Sequence, residues 1–236
     1  MSIFAAIIQA RMNSSRLPGK SMSKVYNNFS LLEMVILRAM KARKLDMIIL
    51  ATSKENNCDP LAELADRLGI FTVRGSEMDV LSRFVDAIQQ YKPNVVVRIC
   101  ADNPFIDPGE IDKLVNFFQR NQFDYAADNT PECGLPDGLG CEIVRSDVLL
   151  RIAKTVHGRH YREHVTNYIV SHQEDFAIGW LHAERNLWYP DLKLDIDCTE
   201  DLEKMRTFCV ALPANTAPYW TANEIIDHAR STVHDI

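Results

Sequence analysis

Over the first 124 residues, short unbroken apolar runs alternate with longer segments whose apolar residues recur every three or four positions. The unbroken runs are Ile3–Ala10 (IFAAIIQA), Asp46–Ser53 (DMIILATS), Ile70–Val73 (IFTV) and Asn94–Ala101 (NVVVRICA). Continuous Val- and Ile-rich runs predict strands covered on both faces. The periodic segments Ser30–Arg43, Asp59–Gly69, Met78–Tyr91 and Pro108–Asn121 predict helices. Their ends carry the expected punctuation. Ser30 reads as an N-cap, and Asp59 reads as an N-cap with Pro60 at the first helical position and Gly69 as the stop. Four strand–helix units in a row predict an α/β fold built on a doubly wound, mostly parallel sheet.

After about residue 124 the rhythm changes. Asn129–Val144 is rich in turn residues and then strand-like, whereas Ser146–Val156 and His160–His172 (HYREHVTNYIVSH) read as helices. Lys193–Phe208 reads as a strand end entering a helix, and Thr221–Ser231 as a closing amphipathic helix. No stretch has the composition of a flexible linker. The expectation is a single domain over 1–236, with a substrate-facing or dimer-forming insertion at about 129–190, and with His234–Ile236 fraying at the end.

Composition narrows the classes. A chain of 236 residues that is 47% hydrophobic supports a sizeable core. A net charge of −6 argues against a general nucleic-acid surface. The cysteines Cys58, Cys100, Cys133, Cys141, Cys198 and Cys209 form no C-x-x-C pair, and the first apolar run is too short for a signal peptide. Reduced thiols in a cytoplasm are the expectation. No apolar run approaches the roughly 20 residues of a membrane span.

Against that acidic background, the loop after the first strand stands out. Ile7–Lys20 (IIQARMNSSRLPGK) holds Arg11, Arg16 and Lys20 and no acid. Open α/β sheets bind ligands beyond the carboxyl ends of their strands, where this loop begins. Its charge suits an anion such as a phosphate chain. Gly19–Ser21 matches half of a nucleoside-triphosphatase P-loop, but Ser14 stands where the first glycine belongs, and no G-x-G-x-x-G loop is present.

The pattern strand–QAR–x–x–S–x–R–L–P–G–K resembles the signature of the CMP-sugar-acid cytidylyltransferases, which activate acylneuraminate and 3-deoxy-manno-octulosonate. It is closest to their spore-coat polysaccharide biosynthesis subgroup. The likeness continues in order through VRGSEMDVLSRF, VRICADNPFIDP, PDGLGCEIV, REHVTNYI and DIDCTEDLE, across roughly residues 3–208. It implies a Rossmann-like nucleotide-diphospho-sugar transferase fold, transfer of CMP from CTP to a small acidic acceptor, release of pyrophosphate, Mg²⁺ as cofactor and a homodimer. The resemblance maps Arg11, Arg16 and Lys20 to the triphosphate, with Ser15 alongside. It maps Ile8, Gln9 and Ala10, together with Arg74, Gly75 and Ser76, to the cytosine and ribose, and it makes Arg11, Lys20 and Asp102 the catalytic set.

Phosphoryl transfer needs positioning and cations more than a side-chain nucleophile, so carboxylates for Mg²⁺ belong near the basic loop. Asp102 follows the fourth strand at the ligand edge and matches the family's Mg²⁺ ligand; the alternative is a turn cap before Pro104. Asp195 and Asp197 stand two residues apart and share one face if the segment is extended, with Asp197 the preferred second ligand and Asp195 held less firmly. The competing role there is capping of the next helix by Asp197 or Thr199.

Arg98, Asn103, Asp137, Glu142, Arg162 and His164 are the acceptor-side candidates. Arg98 lies in a buried strand and requires an anionic partner, which is either the substrate or Asp102. Arg162 could meet an acceptor carboxylate or phosphate, or else lie on a surface helix. HYREH also matches H-x-x-E-H, a zinc-peptidase pattern in which His160 and His164 share a helix face. The readings set beside the cytidylyltransferase are therefore a UTP-using nucleotidyltransferase, a zinc hydrolase and a non-catalytic nucleotide-binding module.

Overall fold

In the computed structural model, which describes residues 2–233, the first apolar run forms β1 (Phe4–Gln9). His234–Ile236, the residues expected to fray, lie outside the described residues. The loop beyond β1 ends in a single 3-10 turn at Lys20–Met22 and a small antiparallel ribbon, β2 (Lys24–Tyr26) and β3 (Phe29–Ser30). α1 (Leu31–Ala39) begins where the sequence indicates. The Ser30 hydroxyl accepts the Glu33 N–H and the Glu33 carboxylate accepts the Ser30 N–H, both at 3.3 Å. The helix stops short of Arg43, because the Arg43 and Lys44 N–H groups turn to the Asp112 carboxylate at 3.1 and 2.9 Å.

The predicted alternation continues through β4 (Met47–Ser53), α2 (Asp59–Arg67), β5 (Phe71–Gly75), α3 (Val80–Tyr91), β6 (Val95–Cys100) and α4 (Pro108–Arg120). Asp59 is the first residue of α2 rather than its cap, since its carboxylate pairs with Arg74 at 2.7 Å. Gly69 ends that turn of chain at a φ of 70°, a conformation that costs glycine little. Then come β7 (Tyr125–Ala127), β8 (Glu142–Arg145), α5 (Ser146–Thr155), α6 (Arg159–Glu163), α7 (Asn167–Ser171), β9 (Ile178–Trp180), α8 (Thr199–Ala211) and α9 (Ala222–Val233).

The seven-stranded sheet has the order β5-β4-β1-β6-β8-β7-β9. β5, β4, β1 and β6 are parallel, β8 runs antiparallel to β6 and β7, and β9 is parallel to β7. Thus 129–190 contributes β8 and β9 to the main sheet. One face of the sheet buries Leu32, Ile36, Leu61 and Leu114; the other buries Leu81, Phe84, Leu149 and Ile152. A third cluster around Trp220 joins α8 and α9 to α1. Covered faces explain why the parallel strands read as unbroken apolar runs.

Two features differ from expectation for tertiary reasons. The helix expected over His160–His172 breaks at Val165, which is fully buried at a φ of 44°. A β-branched residue tolerates that conformation only when its surroundings enforce it. Burial of Val165 and a 2.8 Å hydrogen bond from the Thr166 hydroxyl to Glu142 supply that enforcement. Lys193–Ile196 forms a single β-bridge, Asp137 to Lys193, in place of a strand.

Arg38 fixes the turn beyond β6. It is fully buried and donates to the carbonyls of Ile106, Pro218 and Phe105 at 2.9, 2.7 and 3.1 Å. Burial pushes its guanidinium down to about 10, with the Asp107 charge opposing.

Asp128, buried beyond β7, accepts the Cys141 N–H at 2.7 Å through one carboxylate oxygen, while the other oxygen has no partner. Burial therefore raises this carboxyl well above its ordinary 3.8. A carboxyl raised by folding binds more protons in the native state, so its contribution to stability is fullest below about 3.8 and is lost as the pH rises. Asp128→Asn keeps the acceptor for Cys141 and removes the charge. It should raise the thermal midpoint at pH 7 by at least about 2–4 °C, a gain that vanishes near pH 4, as read by scanning calorimetry.

Candidate active site

The carboxyl ends of β1 and β6 open into a cleft of about 220 Å³, continuous with solvent. Lys20 stands on one wall of it. Gly19, at a φ of 77°, turns the chain so that Lys20 begins the 3-10 turn, and the Gly19 N–H closes the loop onto the Met12 carbonyl at 2.8 Å. From there the Lys20 ammonium donates to Asp102 at 3.0 Å, to Asp197 at 3.3 Å and to the Ile196 carbonyl at 2.8 Å. Arg16 pairs with Asp197 at 2.7 Å. The Asp102 carbonyl accepts the Ile196 N–H at 2.9 Å, which locks the turn after β6 to the segment before α8. Cys198, rather than Asp197 or Thr199, is the N-cap of α8, and Asp201 completes the capping box: it accepts the Asp197 and Cys198 N–H groups at 2.9 and 3.1 Å and leaves the Asp197 side chain to the cleft.

Two more acids stand near this group. Burial pushes the Asp195 carboxyl up to about 6, with the Asp137 charge adding to it, and one buried Asp195 oxygen has no partner. Asp137 is raised as well, by desolvation and then by the Asp102 charge. Lys193 spans Asp195, Asp197 and Asp201 at 3.6, 3.9 and 3.1 Å. The donors are hard carboxylate oxygens. Among the described residues, no group of three or more His, Cys, Asp or Glu is spaced as a metal cage. Mg²⁺ commonly takes one or two carboxylates and completes its octahedron with water and phosphate oxygens, so Asp102 and Asp197 fit an ion shared with a nucleotide.

The remaining candidates divide sharply. Gln9, Ala10, Arg11, Ser15 and His164 line the cleft, with Ile8 buried behind them. Arg11 pairs with Glu163 at 3.0 Å and donates to the Glu77 carbonyl at 3.2 Å. His164 is held below its ordinary value by burial and then by the neighbouring His160. Arg74, Gly75 and Ser76 do not line the cleft. Arg74 donates to the Ser53 and Glu55 carbonyls at 3.0 Å each, and the Ser76 hydroxyl accepts the Asp79 N–H at 3.2 Å. Arg162 faces away from the cleft, to Asp79 at 2.6 Å and to the Ala153 and Val156 carbonyls. Asn103 is buried in the turn, its N–H on the Cys100 carbonyl at 3.3 Å. In HYREH, helix α6 ends at Glu163, whose carboxylate belongs to Arg11.

Arg98 finds its anion in Glu142, its register partner across β6 and β8, and not in Asp102 or a ligand. Burial lowers the Arg98 pKa, but the Glu142 carboxylate, with Cys100, outweighs it and holds the group above its ordinary value. Glu142 also accepts from the Tyr125 and Thr166 hydroxyls at 2.6 and 2.8 Å. Arg98 donates onward to the Gln9 side chain at 3.1 Å, so this buried network orients a cleft residue from behind. Sequence reading missed Arg83, which lines the cleft from α3. Its legible signal was a lone arginine on the apolar stripe of Val80, Phe84 and Ala87.

A protein-family model described as Cytidylyltransferase matches residues 5–225. The spore coat polysaccharide biosynthesis protein SpsF of Bacillus subtilis is 34% identical, over 93% of this chain and 91% of that protein. A solved cytidylyltransferase from Leptospira borgpetersenii superposes with a TM-score of 0.91 at 25% identity, over 99% of this chain and 96% of the other. A CMP:2-keto-3-deoxy-manno-octonic acid synthetase solved in complex with CTP shares the fold, with a TM-score of 0.67 at 16% identity, over 89% of this chain and 99% of that one.

The Arg98–Glu142 pair should count in stability. Arg98→Met leaves Glu142 buried without its cation, so urea unfolding should show a loss of about 3–5 kcal/mol. Lys20→Ala, at the solvent-open cleft, should cost far less in the same measurement.

Proposed function

The chain belongs to the cytidylyltransferase family, and on that premise we propose a Mg²⁺-dependent enzyme that transfers CMP from CTP to a small acidic acceptor, releasing pyrophosphate. The observation that carries this reading is the Lys20 ammonium held between Asp102 and Asp197 at the carboxyl ends of parallel strands. The acceptor class is a sugar acid or a related phosphorylated compound, in surface polysaccharide precursor synthesis. SpsF of Bacillus subtilis, by its name a spore coat polysaccharide biosynthesis protein, supports that assignment. In the same reading the enzyme is a cytoplasmic homodimer. Among the described residues, no helix is long and apolar enough to cross a membrane.

Lys20 and Arg16 carry their charge to the triphosphate and offset the negative charge that builds on pyrophosphate as it leaves. Asp102 and Asp197 are the residues that would hold Mg²⁺, which when bound neutralises phosphate charge and acts as a Lewis acid. The acceptor hydroxyl forms a new bond to the α-phosphorus as the bond to pyrophosphate breaks, and its proton leaves to solvent. Arg11, braced by Glu163 and the Glu77 carbonyl, borders the same cleft and restrains the nucleotide. Gln9, oriented by Arg98, holds its amide at the cleft wall.

Wild-type protein with Mg²⁺ and CTP should release pyrophosphate with at least one member of an acidic acceptor library. Lys20→Ala and Asp102→Asn should each lose about 10²–10³-fold in turnover while retaining the native circular dichroism spectrum. Near wild-type pyrophosphate release by either variant would overturn the assigned roles. Sedimentation velocity checks the dimer.

A further inference from the structure

Thr166 is 1% exposed and does not line the cleft, yet its hydroxyl stands at a junction. It donates to Glu142 Oε1 at 2.8 Å and accepts from Arg98 Nη1 at 3.3 Å. The Tyr125 hydroxyl donates to the same Glu142 oxygen at 2.6 Å, and Arg98 occupies the other oxygen. Both oxygens of the buried carboxylate therefore have partners without Thr166. The extra bond serves the stretch of chain that carries Thr166.

That stretch is strained. Val165 is buried at a φ of 44°, and the Thr166 N–H closes on the His164 carbonyl at 2.5 Å, so a three-residue turn is centred on a β-branched residue. The competing conformation is a helix that runs on from α6 into α7, which the apolar periodicity of residues 160–172 favours. The turn directly follows Glu163 and His164, and both of these line the cleft. Glu163 in its turn braces Arg11 at 3.0 Å. A turn that slackened toward helix would carry Glu163 with it and release that brace.

We propose that Thr166 is a positioning residue of the nucleotide site: its hydroxyl, bound to Glu142, holds the left-handed turn at Val165 and so keeps Glu163 in place to brace Arg11 against the nucleotide. The proposal rests on the cytidylyltransferase reading for the identity of the ligand, and it adds a residue that never touches that ligand. Gln9 is held separately, through Arg98 and its pair with Glu142. The route from Thr166 to the nucleotide therefore runs through Arg11.

Two measurements test this. In the nucleotide-free protein, hydrogen exchange over residues 163–169, read by mass spectrometry, should rise about 10-fold in Thr166→Val, which keeps the shape and loses the hydroxyl. It should stay at the wild-type rate in Thr166→Ser, which keeps the hydroxyl. Titration calorimetry with CTP–Mg²⁺ should show binding about 10-fold weaker in Thr166→Val and within about 2-fold of wild type in Thr166→Ser. Arg11→Ala should weaken CTP binding by itself, and adding Thr166→Val to it should cost nothing further. If Thr166→Val fails to fold, Thr166→Ala, which leaves room for a water beside Glu142, takes its place. Equal weakening by Thr166→Ser and Thr166→Val, additive losses in the Arg11→Ala background, or unchanged exchange in Thr166→Val overturns the proposal. Wild-type protein that binds no CTP, with exchange still raised in Thr166→Val alone, would overturn the cytidylyltransferase reading and leave the hold of Thr166 on the turn standing.

Discussion

The Lys20 ammonium is the point at which three distant stretches of chain become one site. Its partners lie 82 and 177 residues away, at Asp102 and Asp197. Neighbouring parallel strands make this possible: β1 and β6 pair in register, so their carboxyl ends and the loops beyond them share an edge. Two carboxylates converging in a partly desolvated cleft repel each other unless a cation lies between them, and that repulsion strengthens as the dielectric falls. Lys20, its side chain 13% exposed, supplies that charge. A triphosphate brings several negative charges to the same place, which one ammonium does not offset, and this is the electrostatic argument for a second cation on Asp102 and Asp197.

The two ends of the cleft differ in how their charge is arranged. Around Lys20, the acids Asp102, Asp137, Asp195 and Asp197 outnumber the nearby cations Arg16, Lys20 and Lys193. Near Arg83, cations and acids balance pair by pair. An excess of carboxylate favours a metal ion together with its phosphate, while a balanced set with unpaired donors and acceptors favours a neutral polar edge. A nucleotide has that polarity from end to end, with a neutral base and a charged phosphate chain.

The strand–helix alternation was legible because strands buried on both faces leave unbroken apolar runs, and because the Ser30 cap is local. The break at Val165 was not legible. Nothing near a β-branched residue signals a positive φ, and the cause is Glu142, which reaches Thr166 from another strand. Arg98 was correctly read as needing an anion. Its partner was hidden because β8 enters the sheet next to β6, ahead of β7 in the strand order, and places Glu142 opposite Arg98. The Lys20, Asp102 and Asp197 grouping was visible only through motifs in order, since no spacing along the chain encodes it. Arg74 and Arg162 were assigned to ligands by motif position, and both have their donors engaged within the fold.

The arginines show why burial and motif position are weaker guides than hydrogen-bond accounting. Arg38, Arg98 and Arg162 all carry a positive charge into the fold, and each ends on carbonyls or a carboxylate supplied by the protein. Those groups need nothing from outside, and a ligand that competed for them would loosen the structure it binds. Arg83 reverses this. It lies among Val80, Phe84 and Ala87, where a methionine would fill the volume without the cost of desolvating a cation. A fold that accepts that cost and still leaves Nε and Nη1 open has no use for the charge within the chain itself. In general, a donor desolvated in advance penalises every ligand that fails to meet it.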